Sequence, residues 1–112
     1  MQYLHNPRCS KSRQGLALLE ENNVDIEVID YQKTPLNATQ IKSIAKKLGI
    51  NDYREMMRTK EAEYKEHDLS AANQDALLDA MVQIPKLIER PILVTESAAR
   101  IGRPPEQLLE IL

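Results

Sequence analysis

The chain contains a single cysteine, Cys9, and it stands among positively charged side chains in the stretch HNPRCSKSR. Arg8 precedes it, Lys11 and Arg13 follow it, and no acidic residue occurs before Glu20. A thiol acts as a nucleophile only when it is ionised, and nearby cations lower its pKa. The sequence therefore predicts a thiolate nucleophile beside a small anion-binding patch; the alternative is an inert, buried cysteine.

The composition restricts the functions that such a thiolate can serve. The 112 residues are enough for one domain, and 42% hydrophobic with 29% charged residues is typical of a globular protein. A net charge of -2 provides no general attraction to nucleic acid or to a membrane surface, and no apolar run is long enough to span a bilayer. One cysteine excludes an intrachain disulfide, and with two histidines a metal site is not expected. No signal peptide is expected, and we expect a monomer in the cytoplasm.

The residues around Cys9 predict a strand, a reactive loop, a helix and a second strand. A strand is predicted over 3–5, a helix through SRQGLALLEENN, and a strand over 24–31 with Val24, Ile26 and Val28 on one face. The crossover helix of such a β-α-β unit normally makes its two strands parallel. Cys9 then lies just before the N-terminus of the helix, where unpaired N–H groups favour an anion.

The middle of the chain, about 37–84, is predicted to be a helical insertion. Asn37 and Gln40 form a capping-box pattern for a helix that ends at Gly49. Asn51 or Asp52 can cap a further helix containing YREMMR. A last amphipathic helix is predicted through Leu77, Leu78 and Met81, ended by Pro85.

The last third returns to strands. PILV is predicted to be a buried strand, AARI its hairpin partner, and EQLLEIL a closing helix with Leu108, Leu109 and Leu112 toward the core. The order β-α-β, helical insertion, β-β-α is similar to that of the thioredoxin/glutaredoxin core. We therefore expect an α/β fold with a mixed sheet and a single domain over 1–112.

Two other cysteine chemistries are excluded by spacing. Ser12 occupies the second position of a redox C-x-x-C, so a dithiol mechanism is not possible and the reducing thiol must come from another molecule. A phosphatase-type loop requires arginine six residues after the cysteine, where this chain has Gly15. Ser12 can instead offer its hydroxyl to the sulfur.

HNPRCSKSR resembles the active-site motif H-N-P-x-C-x-x-S-R of the glutaredoxin-coupled arsenate reductases. The segments MMRTKEAEY, IERPILV and RIGRPPEQLLEIL resemble further family segments in the same order. The resemblance implies a thioredoxin-like fold and a Cys9 thiolate that attacks arsenate. It also implies that glutathione, a co-substrate rather than a bound cofactor, and then glutaredoxin supply the reducing thiols and that arsenite is released.

The resemblance assigns the arsenic oxyanion to three arginines, Arg58, Arg90 and Arg103. Arginine suits this role because its planar group donates two hydrogen bonds to two oxygens and stays charged. Arg90 precedes Pro91, at the position where thioredoxin-like folds place a cis-proline beside the reactive cysteine.

Other residues near Cys9 in the sequence are His5, Asn6 and Arg13. His5 either lowers the pKa of the thiol or donates a hydrogen bond to it, or it is a half-buried histidine at a strand end. Asn6 is expected to organise the loop, and Arg13 to support the loop or face solvent.

Two functions of other kinds remain open on sequence grounds. One is a regulator resembling the Spx-type RNA-polymerase-binding proteins, although Ser12 removes the C-x-x-C switch that these usually carry. The other is a glutathione-dependent monothiol oxidoreductase, which would act without arsenate.

Overall fold

In the computed structural model, which describes residues 1–112, the two ends of the chain together build one mixed sheet. This first unit contains Met1–Thr34 and Arg90–Leu112. Its elements are strands β1 (Gln2–His5), β2 (Glu27–Asp30), β3 (Ile92–Val94) and β4 (Ala99–Ile101), helix α1 (Ser10–Glu21) and a 3-10 helix (Pro105–Ile111). The strand order is β2-β1-β3-β4.

The strand directions agree with the predicted topology. β1 pairs with β2 in parallel, as expected of strands joined by the crossover helix α1. β1 pairs with β3 antiparallel, and β3 and β4 form an antiparallel hairpin. The predicted thioredoxin-like mixed sheet is therefore confirmed.

The core of this unit lies between the central strands, α1 and the C-terminal 3-10 helix. Tyr3, Leu19, Leu93 and Leu108 form one cluster and are fully buried. Burying a side chain of this size stabilises a fold by roughly 1.5–3 kcal/mol. The cluster therefore joins the N-terminal and C-terminal segments of the chain.

The second strand is shorter than predicted, and one residue of its predicted apolar face is exposed. Val24 and Ile26 pack against the core cluster, but they precede β2, and Val28 is 48% exposed. Val28 aligns with the fully buried Tyr3 across the parallel pair, yet β2 is the edge strand of the sheet. The two-residue alternation of the strand was predicted correctly. Val28 is exposed because the residues that pack on this face of the sheet do not extend over the edge strand.

The closing helix was predicted as an α-helix, and this is wrong: Pro105–Ile111 is a 3-10 helix. A 3-10 helix has three residues per turn, so residues three apart share a face. Pro105, Leu108 and Ile111 accordingly lie toward the core, whereas Leu112 is exposed.

The second unit, Pro35–Glu89, is helical. It contains α2 (Ala38–Leu48), α3 (Ala62–Glu66), α4 (Gln74–Gln83) and three 3-10 helices (Tyr53–Met56, Leu69–Ala71 and Pro85–Leu87). The predicted insertion, about 37–84, falls within this unit, and the assignment of the chain to a single domain stays a prediction. No helix in either unit is long and apolar enough to cross a membrane.

The start and end of α2 are as predicted. Asn37 accepts from the Gln40 N–H while the Gln40 side chain accepts from the Asn37 N–H, which completes the capping box. Gly49 ends the helix in the left-handed conformation (φ 75°), which favours glycine because it has no Cβ. These signals are local, and this explains why they can be found in the sequence.

The helix predicted through YREMMR begins as expected, with Asp52 as its N-cap, but it is shorter than predicted. Only Tyr53–Met56 forms a 3-10 turn, and Met57 is extended and pairs with Ile88 in an isolated antiparallel bridge. Tertiary pairing therefore overrides the helical pattern here. The short helix α3 lies in the polar stretch after it.

Leu108→Ala is expected to lower the free energy of unfolding by about 2–5 kcal/mol because it leaves a cavity in the core cluster. The matched control is Leu112→Ala, which removes the same atoms from an exposed position and should change stability by less than about 0.5 kcal/mol. Urea unfolding followed by circular dichroism measures both. Equal losses would contradict the assigned core face.

Candidate active site

Cys9 is the residue that caps the N-terminus of α1. Its backbone is extended (φ -93°, ψ 124°), its N–H donates to Asn6 O at 3.0 Å, and its carbonyl accepts from Arg13 N–H at 3.0 Å. The thiol is free and half-buried. The first turn of the helix thus begins at the nucleophile, as the sequence predicts.

The pKa of the Cys9 thiol lies below its ordinary value. Burial raises it, but this is outweighed by the N–H groups of Ser12 and Lys11 and by hydrogen bonding and charge from Arg90. The two N–H groups face the sulfur without forming a cap hydrogen bond of standard geometry. Helix N-terminus and arginine therefore act together to favour the thiolate.

Two of the three predicted arginines lie at the sulfur. Arg103 Nη2 is 3.8 Å from Cys9 Sγ, and Arg103 Nε donates to Arg90 O at 3.1 Å. Arg90 is only 9% exposed, which is unusual for an arginine. The Arg90–Pro91 bond is cis, as predicted, and so is Arg103–Pro104.

Close packing fixes the loops that carry these arginines. Gly102 N–H donates to Pro91 O at 2.8 Å. A Cβ on Gly102 would stand 2.8 Å from Pro91 Cγ and 3.0 Å from Leu108 Cγ, so only glycine fits. The loop after β4 is thereby held directly against Pro91.

His5 and Ser12 are brought together, but not in the way predicted. Ser12 Oγ lies 2.7 Å from His5 Nδ1, and the imidazole tautomer determines which of the two donates. Ser12 Oγ also accepts a hydrogen bond from Asn6 N–H at 2.9 Å. The prediction that the Ser12 hydroxyl faces the sulfur is wrong, because these two partners engage it beneath the loop. His5 likewise contacts Ser12 rather than donating to Sγ, and both residues are buried.

The pKa of His5 is lowered, chiefly by burial. Asp30 raises it and Arg13 lowers it further. Because the folded state disfavours the imidazolium, protonation of His5 opposes folding. Stability is therefore lost as the pH falls from the unfolded-state pKa of His5 toward the lower native one.

The loop between β1 and α1 is braced at both ends. Asn6 Oδ1 accepts from Arg8 N–H at 3.0 Å, and Arg13 Nη1 donates to Pro7 O at 2.9 Å. The side chains of Arg8, Lys11 and Arg13 are exposed. The loop thus presents cations to solvent while its backbone is fixed from beneath.

Arg58 lies in the second unit. Its Nε is 2.8 Å from Glu61 Oε1, and its N–H donates to Leu87 O at 2.7 Å. Its assignment to oxyanion binding stays a prediction of the resemblance.

Sequence reasoning missed Tyr3. Its hydroxyl donates to Ser12 O at 2.5 Å, and its ring lies 5.6 Å from that of His5, centroid to centroid. The available signal was the strand period, which places residues 3 and 5 on the same face. The structure contains no group of three or more His, Cys, Asp or Glu side chains arranged to hold a metal ion.

The fold and this site define a thioredoxin-like protein with one activated thiol beside two arginines. The ArsC family model matches residues 4–111, and the chain belongs to this family. Arsenate reductase from Haemophilus influenzae is 47% identical over 96% of this chain and 95% of that protein. An uncharacterized Escherichia coli K12 protein is 56% identical over 96% and 92%. The structure of arsenate reductase from Vibrio cholerae is 51% identical, covers 100% of this chain and 98% of its own, and has a TM-score of 0.94.

Alkylation of Cys9 by iodoacetamide is expected to reach half its maximal rate at a lower pH in the native protein than in the same protein unfolded in urea. The reason is that helix N–H groups and Arg90 stabilise the thiolate only in the fold. Mass spectrometry reports the single thiol without ambiguity. A native midpoint at or above the unfolded one would contradict the assigned activation.

The His5 imidazole is expected to titrate below the ordinary value of about 6.5, because its buried position disfavours the charged form. Proton NMR of the imidazole C–H signals measures this, and the variant His67→Gln removes the only other histidine so that the signal is assigned. A midpoint at or above 6.5 would argue against the buried neutral imidazole.

Proposed function

We propose that this protein reduces arsenate to arsenite with Cys9 as its nucleophile and external thiols as reductants. The observation that carries the proposal is the contact of Cys9 Sγ with Arg103 at 3.8 Å, beside Arg90, at the N-terminus of α1. An anion nucleophile normally repels an anionic substrate. Here positive groups lie beside the thiolate, so that they offset the repulsion and the arsenate anion can approach the sulfur.

In the first step the thiolate attacks the arsenic atom, an As–S bond forms, and one arsenate oxygen leaves as water after taking up protons. A glutathione thiol then replaces a second oxygen, again with loss of water. A further thiol, from glutaredoxin, attacks the glutathione sulfur bound to arsenic, and a glutathione–glutaredoxin disulfide forms. The two electrons of that As–S bond pass to arsenic, As(V) becomes As(III), and two thiols end as one disulfide. Hydrolysis of the remaining As–S bond releases arsenite and regenerates Cys9.

The two arginines are suited to different parts of this reaction. Arg90 is held in a buried position, where its charge is little screened by water. Arg103 is more exposed and is oriented through its bond to Arg90 O. Together they can neutralise the tetrahedral anion and its developing charge as an As–O bond breaks. The resemblance alone assigns the third arginine role to Arg58.

External reductants follow from the thiol count. With one cysteine, the chain cannot form an internal disulfide, so the oxidising equivalents must leave on other thiols. Glutathione and glutaredoxin are the reductants implied by the resemblance, with no bound cofactor. Their use requires a reducing compartment, so we assign the protein to the cytoplasm.

The test is NADPH consumption in a mixture of arsenate, glutathione, glutaredoxin and glutathione reductase. Arsenate-dependent turnover is expected for the wild type and none for Cys9→Ser. Arg103→Lys should lower kcat/KM for arsenate by about tenfold or more, because lysine keeps the charge but loses the planar pair of donors.

Arg100→Lys is the matched control, since Arg100 lies on β4 and pairs with Glu110 instead of the thiol. It should leave kcat/KM unchanged. Turnover that persists in Cys9→Ser would contradict the nucleophile. Absence of turnover in folded wild type would refute arsenate reduction, and glutathionylated peptides would then test the monothiol alternative.

A further inference from the structure

The Tyr3 hydroxyl occupies a position that connects strand β1 to the first turn of α1. It is fully buried and donates to the Ser12 carbonyl at 2.5 Å. Its pKa is raised well above the ordinary value, chiefly by burial. The phenol is therefore neutral at any working pH and always available as a donor.

The carbonyl and the hydroxyl of Ser12 have three hydrogen-bond partners between them. Its carbonyl accepts from Tyr3, its hydroxyl accepts from Asn6 N–H, and the same hydroxyl pairs with His5. Ser12 itself is wholly buried. The first turn of α1 is thus attached to β1 and the loop at three points, although residues in a first turn often fray.

Gly15 makes the room for the Tyr3 hydroxyl. It lies three residues after Ser12 on the same buried face of α1, and a Cβ there would collide with Tyr3 Oη. The same Cβ would also stand 3.0 Å from Leu108 Cδ1 and 3.2 Å from Pro91 Cγ. Glycine inside a helix costs about 1 kcal/mol relative to alanine, so its presence here requires a compensating close approach.

The position of the first turn determines the environment of the sulfur. The N–H groups that lower the pKa of Cys9 belong to Lys11 and Ser12, and Ser12 is the residue that Tyr3 holds by its carbonyl. The Ser12 carbonyl belongs to the Ser12–Arg13 peptide, which directly follows the Lys11–Ser12 peptide that carries the Ser12 N–H. Holding this carbonyl therefore restricts the orientation of the N–H donors beside Sγ. Tyr3 itself makes no hydrogen bond to the sulfur.

We infer that Tyr3 is a positioning residue for the Cys9 nucleophile: its hydroxyl, accommodated by Gly15, clamps the Ser12 carbonyl and keeps the first turn of α1 aimed at Sγ. The inference rests on the proposed function for its catalytic meaning, but the geometry of the thiol does not depend on arsenate. It assigns to a core tyrosine a role in reactivity in addition to packing.

The experiment is the pH dependence of Cys9 alkylation by iodoacetamide in Tyr3→Phe. Phenylalanine keeps the buried ring and removes only the hydroxyl, so the fold is expected to remain, at a cost of about 1 kcal/mol for one hydrogen bond. The midpoint should rise by at least about half a pH unit, so that alkylation below both midpoints is roughly threefold slower. Because the assay contains no arsenate, its outcome is independent of whether the proposed reductase activity is found.

Gly15→Ala provides a second, independent change at the same contact. Its methyl group displaces the hydroxyl, so the midpoint should rise as in Tyr3→Phe and stability should fall by about 1–3 kcal/mol. In the double variant Tyr3→Phe with Gly15→Ala, the methyl occupies the vacated space. Stability should then recover part of the Gly15→Ala loss while the midpoint stays raised, which is a non-additive cycle.

Tyr64→Phe is the matched control, since Tyr64 is a buried tyrosine of the second unit whose hydroxyl contacts Arg54. It should leave the alkylation midpoint unchanged. If Tyr3→Phe lowers the free energy of unfolding but leaves the midpoint at the wild-type value, Tyr3 is only a packing residue and the inference is overturned. The inference is also overturned if the alkylation midpoint of Gly15→Ala equals that of the wild type.

Discussion

The buried polar groups of Ser12 are the constraint on which the reactive site depends. A hydroxyl and a carbonyl without contact to water must find hydrogen-bond partners in the protein, since an unsatisfied buried group costs about 1–3 kcal/mol. Their partners, Tyr3, His5 and Asn6, all come from β1 and the loop that follows it. The helix N-terminus is therefore located by hydrogen bonds on its buried side, and its exposed side is left for the thiol.

A second constraint is steric. Gly15 and Gly102 both lie against Pro91 and Leu108, and a Cβ at either glycine would stand 2.8–3.2 Å from these side chains. The helix that carries Cys9 and the loop that carries Arg103 therefore pack on the same two side chains. Rigid packing suits such a site, because a charged nucleophile and its counter-charges act best at fixed separations.

Much of the fold can be predicted from the sequence because its signals are local. The capping box at Asn37, the β-α-β order and the place of Cys9 before α1 each depend on neighbouring residues. The exposure of Val28 depends on which strand is at the edge of the sheet, and no local pattern contains that information.

In the site, too, local features can be predicted from the sequence and tertiary contacts cannot. Charges beside Cys9 are visible in the sequence, but Arg103 meets it across 94 residues, and the resemblance rather than any spacing assigned that residue. The Ser12 hydroxyl was directed to the wrong partner because a helix pattern gives the side of a residue and not what lies opposite it. Tyr3 was overlooked for a similar reason: an aromatic residue in a strand is typical of a core, and its hydroxyl bond is a tertiary contact.

The sheet that supports the thiol is made from both ends of the chain, and this has a consequence for synthesis on the ribosome. β1 lies between β2, which follows soon after it, and β3, which is about 90 residues later in order of emergence. Contacts so distant in sequence form late, because loop closure must precede them. A nascent chain therefore carries Cys9 without Arg90 and Arg103 at first, and the thiol gains these two charges only when the segment that contains β3 and β4 has emerged.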